Sequence, residues 1–255
     1  MEPFYLSQSA LKDWKKLCPL VWKAKWIDRN EDLNPEPFEM SPMRWGLIFE
    51  TMAIGAGLGG KAVFPTPKEK ASAIYKRVVE QARLCKEMLK IYGRKVFIQK
   101  QLNASFEHNG ITVHISGNLD DIHEVRKIPV IIDLKSTGDV ESEFGPWQWG
   151  DTDKMDTTQA FQYELLYELN FGVRPLFQYW VFDFSVSMKT KFMQVSISDF
   201  SREAHKDRLA EAYSQIQANI ILDDWQPRPS YKECSKCLVP CSKKVTFPEI
   251  INVIR

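Results

Sequence analysis

The 255 residues carry a formal charge of +1, with 44% hydrophobic and 26% charged positions, a balance ordinary for a globular chain long enough to bury a sizeable core. No apolar run approaches the roughly 18 residues of a membrane span, and the opening MEPFYLSQSALKDWKK lacks the charged-then-apolar order of a signal peptide, so a cytoplasmic protein is expected. Any affinity for nucleic acid must come from a local patch, and five cysteines in a reducing compartment are better read, where they cluster, as metal ligands than as a disulfide framework.

Ser7 to Leu17 predicts a short helix with Ser7 or Ser9 as N-cap and Leu11, Trp14 and Leu17 on one face, ended by Cys18-Pro19. Trp22 and Trp26 then interleave with Lys23 and Lys25 before a proline-rich loop; tryptophans in the core and lysines in water is the favoured reading over a single-strand-binding patch. A second helix is expected from about Pro42 to Ala56, with Glu50 in an otherwise apolar setting. Gly55, Gly57 and Gly60 satisfy GxGxxG, but the pattern closes a helix instead of following a strand, so it reads as a C-cap and loop. Thr66, Pro67 and Glu69 form a capping-box start for a helix reaching about Ile91, with Cys85 as a small buried residue inside it.

From Lys95 the period changes to two, predicting antiparallel strands at Lys95–His108 and Ile111–Val125 joined at Asn109-Gly110. A strand buried on both faces follows at Ile128–Lys135, then a long polar loop with Trp147 and Trp149, suited either to base stacking or to anchoring the loop. Met155–Phe171 predicts a helix stopped by Gly172, with Gln159 and Tyr163 on one face. Strands at Leu176–Val186 and Lys191–Ile197 lead into a helix from about Asp199 to Ile221 and a cysteine-bearing tail.

The chemistry concentrates between His114 and Ser136. Asp133 and Lys135 alternate with Leu134, so the acid and the base project from one face at the end of an apolar strand, where burial is costly unless they are paired or used. Asp120 lies on the preceding strand in Gly117-Asn118-Leu119-Asp120; Asp121 faces the other way and receives no ligand role. The histidines His108, His114, His123 and His205 read as sheet or surface residues. No GxSxG, HExxH or P-loop occurs.

The order GxxD, buried strand ending in Asp133-Leu134-Lys135, then Gln159-x3-Tyr163 resembles the PD-(D/E)XK nuclease superfamily, and within it the RecB-like exonucleases. The resemblance implies an α/β restriction-endonuclease-like core, a mixed central sheet flanked by helices, in one nuclease domain spanning 1–255 with its core at about 41–222. It also implies that Glu50 is the acid placed on a helix before the sheet, in Gly46-x3-Glu50. Many RecB-like members carry a metal-binding histidine in this region, which is absent here. Mg²⁺ or Mn²⁺ would take oxygen ligands from Glu50, Asp120, Asp133 and the Leu134 carbonyl, with Lys135 beside the reacting water. Gln159 and Tyr163 would contact the substrate backbone.

Cys234-x2-Cys237-x3-Cys241 is a three-ligand group lacking one member, and Cys18 sits far upstream. One cysteine near the start and three near the end resembles iron-sulfur RecB-like nucleases, including AddB-type and CRISPR-associated exonucleases, in which a cluster staples the segments at about 7–30 and 223–255 around the core. Four thiolates suit a [4Fe-4S] cluster or structural zinc, and the resemblance favours iron-sulfur. The expected activity is metal-dependent DNA hydrolysis, exonucleolytic on single-stranded DNA or free ends, with 5′→3′ polarity implied by the resemblance alone. The alternatives are a non-catalytic DNA-binding subunit of a repair, recombination or CRISPR-adaptation complex, and a structure-specific endonuclease. The resemblance also implies a microbial or viral source and protein partners in DNA processing; no membrane partner is expected.

Overall fold

A computed structural model describes residues 3–55, 57, 60–145, 148, 155–228, 234 and 237–241. Its elements follow the chain as β1 (Leu6–Ser7), α1 (Gln8–Lys16), α2 (Pro19–Trp26), a 3₁₀ turn at Glu31–Leu33, α3 (Pro42–Ile54), α4 (Pro67–Lys70), α5 (Ala73–Tyr92), β2 (Arg94–His108), β3 (Ile111–Val125) and β4 (Ile128–Thr137). They continue as α6 (Val140–Glu143), α7 (Thr158–Phe171), β5 (Leu176–Asp183), β6 (Thr190–Val195) and α8 (Asp199–Leu222). Trp147 and Trp149 lie outside the described residues.

The strands form one mixed six-stranded sheet. The two-residue turn Asn109-Gly110, with both residues at positive φ, sets the long β2–β3 hairpin. Along its other edge β3 pairs antiparallel with β4 over Asp121–Val125 and parallel with the short β1 at Ile115 and Ser116. Parallel pairing of β4 with β5 and a β5–β6 hairpin complete the sheet. Two apolar layers cover it. One packs Ile122 and Ile131 with side chains from α1, α2, α7 and α8; the other packs Ile132 and Leu134 with α3 and α5.

Departures from the sequence-based expectation have local causes. Pro19–Trp26 is a helix whose only start signal is Pro19 at its first turn, since its N-cap, Cys18, makes no side-chain capping bond. Its fixed point is Trp22, fully buried, donating Nε1–H to the Ala10 carbonyl at 2.8 Å and stacking on Trp225 at 6.0 Å. The helix expected from Thr66 to Ile91 is two helices, because Ser72 caps anew by accepting from the Ile74 N–H. The Thr66–Glu69 capping box is present, and Arg44 of α3 holds the buried Glu69 at 2.6 Å, keeping that carboxyl below its usual range against the opposing effect of burial. The strand expected to reach Val186 stops at Asp183, whose carboxylate takes the Ser185 N–H and the Ser185 and Ser187 hydroxyls in a tight turn. Helix α7 starts at Thr158 instead of Met155, after Asp156 accepts the Thr158 N–H. His205, expected in a sheet or at the surface, is buried on α8 against Phe161, and burial lowers its pKa to about 3.

Gln162 ties these layers together. From α7 its buried amide donates to the Leu6 carbonyl of β1 at 2.9 Å and to the Ser116 carbonyl of β3 at 3.0 Å. A Gln162→Leu protein leaves both acceptors without that donor and should lose about 1–3 kcal/mol in urea unfolding; a change within experimental error would remove Gln162 from this bracing role.

Candidate active site

The β3–β4 ladder ends at the pair Asp121–Ile132. One step further Asp120 and Asp133 stand opposite each other where the strands part. The Asp120 carboxylate occupies the opening, accepting the Leu134 N–H at 3.0 Å, so a side chain continues the bonding where the backbone ladder stops. β1 takes up the edge of β3 on the far side of the gap. The two acids therefore sit at a fork in the sheet.

Helix α7 closes one side of the fork. Gln159 donates to Asp133 at 2.5 Å and accepts from the Lys135 ammonium at 3.0 Å, while Lys135 pairs with Asp133 at 2.5 Å and lies 5.6 Å from the centroid of the Tyr179 ring. Four residues on, Tyr163 packs against Gly117, where an added Cβ would come within 2.8 Å of its ring. The glycine of the GxxD pattern thus admits the helix. Helix α3 approaches from the opposite apolar layer, again on a glycine: a Cβ at Gly46 would meet the Ser136 hydroxyl at 2.8 Å. Glu50, one turn beyond Gly46, reaches the electrostatic field of Asp120 and Asp133.

Burial first, then the neighbouring acids, set the protonation of this group. Glu50 is raised to about 9 by desolvation, Asp120 and Asp133; Asp120 is raised to about 7 by desolvation and Asp133. Desolvation also raises Asp133 against the opposing pull of Lys135. Burial alone would lower Lys135, but Asp133, Asp120 and Glu50 outweigh it and hold the ammonium above its usual range. The Tyr163 phenol is raised by burial and by the same acids, so it stays a proton donor. Three carboxyls face one ammonium, and the acids share their protons because full ionisation leaves an uncompensated negative excess. Hard oxygen donors carrying such an excess fit Mg²⁺ or Mn²⁺.

Gln99 belongs to the site although no motif marks it. It donates to Asp120 at 3.2 Å and accepts from Asn118, with φ of 44° at a break in the β2–β3 pairing opposite Asp120. Counting outward from Asn109-Gly110 places Gln99 across from Asp120, so the signal lay in the hairpin register. Asp121 is buried on the other face near His123 and Lys95, away from the fork.

Residues 225–228 return the chain to its start. Trp225 stacks on Trp22, and the Arg228 N–H donates to the Cys18 sulfur at 3.3 Å while its guanidinium donates to the Leu17 carbonyl at 2.7 Å. The Cys237 N–H donates to the Cys234 carbonyl at 3.2 Å. Among the described residues, no group of three or more His, Cys, Asp or Glu side chains is arranged around a common metal position.

A sheet forked around two acids and a lysine, flanked by helices on both faces, defines a nuclease-type α/β core. Residues 5–242 match the family model of the PD-(D/E)XK nuclease superfamily, and the chain belongs to that superfamily. Among solved structures, a "putative exonuclease" from Eubacterium rectale superposes with a TM-score of 0.59 at 15% identity, covering 92% of this chain and 86% of that one, a likeness of fold. The protein SSO0001 superposes with a TM-score of 0.42 at 12% identity over 96% of this chain and 89% of its own, too low to support an argument. No curated protein sequence matches significantly.

A carboxyl whose pKa folding raises binds its proton more tightly in the native state, so stability falls as pH climbs from the unfolded value towards the folded one. For Glu50 that window runs from 4.5 to about 9. In chelator, Glu50→Gln should therefore melt higher than wild type at about pH 8 and converge with it near pH 5, and excess Mg²⁺ should raise the wild-type midpoint most at alkaline pH. Equal melting of the two proteins across this range would show that Glu50 carries no such burden.

Proposed function

We propose that the protein is a Mg²⁺- or Mn²⁺-dependent deoxyribonuclease acting as an exonuclease on single-stranded DNA, with 5′→3′ polarity taken from the RecB-like resemblance. The observation that carries the reading is the convergence of Asp120, Asp133, Lys135 and Gln159 in the sheet fork. The "putative exonuclease" of similar fold from Eubacterium rectale is in keeping with an exonuclease mode of action. One nuclease domain would span the chain.

Glu50, Asp120, Asp133 and the Leu134 carbonyl would hold the divalent cation, which supplies Lewis acidity and lowers the pKa of water. The chain's own groups do the rest. Lys135, kept protonated by the surrounding acids, offsets the negative charge that grows on the phosphoryl oxygens. Gln159 fixes Lys135 relative to Asp133 by bonding both. The neutral Tyr163 phenol and the Gln159 amide position the substrate backbone. Gln99 holds Asp120 in the orientation that meets Leu134.

Cys18, Cys234, Cys237 and Cys241 would hold a [4Fe-4S] cluster, with structural zinc as the other chemistry four thiolates accept. The return of residues 225–228 to Cys18 and the hydrogen bond between Cys237 and Cys234 support this donor set. Such a group would tie the ends of the chain around the core.

Digestion of end-labelled single- and double-stranded DNA with Mg²⁺ or Mn²⁺ tests the activity. Lys135→Ala should lower the rate by about 10²–10³-fold or more with DNA binding retained. Wild-type protein that cleaves no DNA form with either metal sinks the enzyme reading in favour of a DNA-binding subunit, and cleavage of circular single strands would reassign it as an endonuclease. For the cysteines, anaerobically purified protein should be coloured and contain iron and acid-labile sulfide, both lost in Cys237→Ser. Colourless protein with stoichiometric zinc would replace iron-sulfur by zinc.

A further inference from the structure

A concavity with a cavity volume of about 1050 Å³ lies away from the acids of the fork. One wall is α8, another is the segment entering β1, a third is the end of α2, and the floor is the β2–β3 hairpin. None of its lining residues is acidic, in a chain with 33 Asp and Glu. Tyr5 remains 36% exposed there, beside a partly exposed Trp26 and His114. The three rings are fixed in place: Trp26 donates to Asp13 at 3.1 Å, and His114 lies between Tyr5 at 5.4 Å and the buried Tyr213 at 5.8 Å. Arg29 supplies an exposed cation at the rim.

The floor connects this groove to the fork. Along β3, Ser116, Asn118 and Asp120 alternate on one face; along β2 their neighbours are Asn103, Gln101 and Gln99. A polar chain runs from Asp120 through Gln99 to Asn118, and from Gln101 to Asn103 at 3.4 Å. Gln101, Asn103 and Ser116 also line the groove. Ser116 and Asp120 are four steps apart along the strand, about 13 Å. An uncharged, amide-rich track thus leads from a ring-lined groove to the candidate metal site.

We infer that this groove binds an unpaired polynucleotide strand and delivers it along the β2–β3 amide track to the fork. The inference rests on the nuclease reading. Partly exposed aromatic rings stack on unpaired bases whatever their identity, the amides of Gln101 and Asn103 offer donors and acceptors to base edges, and a lining without carboxylates spares phosphates from repulsion. A groove built for an apolar peptide would have no use for a polar track leading to buried acids.

Binding is the readout, measured by fluorescence anisotropy of a labelled oligodeoxythymidylate on full-length Lys135→Ala protein in Mg²⁺. Adding Gln101→Glu and Asn103→Asp, or Arg29→Glu, should weaken affinity about tenfold or more without shifting the melting midpoint. Photocrosslinking of an oligonucleotide carrying 5-iodouracil should label Tyr5, Trp26 or His114. Unchanged affinity in both folded variants, or crosslinks confined to other elements, overturns the inference and leaves the groove to a protein partner. The nuclease reading fails separately: wild-type protein that binds through the groove but hydrolyses nothing keeps this site and loses the enzyme.

Discussion

The parting of β3 from β4 governs this molecule. Two paired strands cannot expose the edges of residues between them, whereas strands that separate after Asp121–Ile132 open a gap wide enough for a carboxylate. Asp120 enters that gap and satisfies the Leu134 N–H, which the missing ladder would otherwise leave orphaned. The opposite strand end then presents Asp133 and Lys135 to α7. Everything placed around the fork answers the same problem of holding like charges in a partly dry space.

The solutions are geometric before they are electrostatic. Gly46 and Gly117 let helices from opposite faces approach the sheet closely, so that Glu50 and Tyr163 both feel the charges of Asp120 and Asp133. Gln159 then bonds both members of the Asp133–Lys135 pair, converting a flexible lysine into a fixed charge. Such an arrangement is poorly balanced alone and well matched to a small divalent cation.

Much of this was readable in the residues. Alternation put Asp133 and Lys135 together, and the Asn109-Gly110 turn set the hairpin, because both rest on local rules of strand geometry. Helix α2 and the division between α4 and α5 were hidden: the first depends on Trp22 meeting Ala10 and Trp225, and the second on a serine cap inside an otherwise continuous helical pattern. The approach of Glu50 to the acids also required tertiary packing, since nothing in a helical sequence states which strand it will cover. Gln99 stood between these cases, encoded by register but unmarked by any pattern.

That register gives the far turn an authority over the fork. Pairing runs from Asn109-Gly110 in one frame to the position where Gln99 meets Asp120, and the only shift in the hairpin, between Lys95 and Phe97, comes later. The turn works as the zero mark of a ruler about 33 Å long. A single residue inserted there, remote from the acids of the fork, would slide the scale by one division and point Gln99 to the opposite face. The length of an exposed turn is therefore as much a part of the site as the side chains within it.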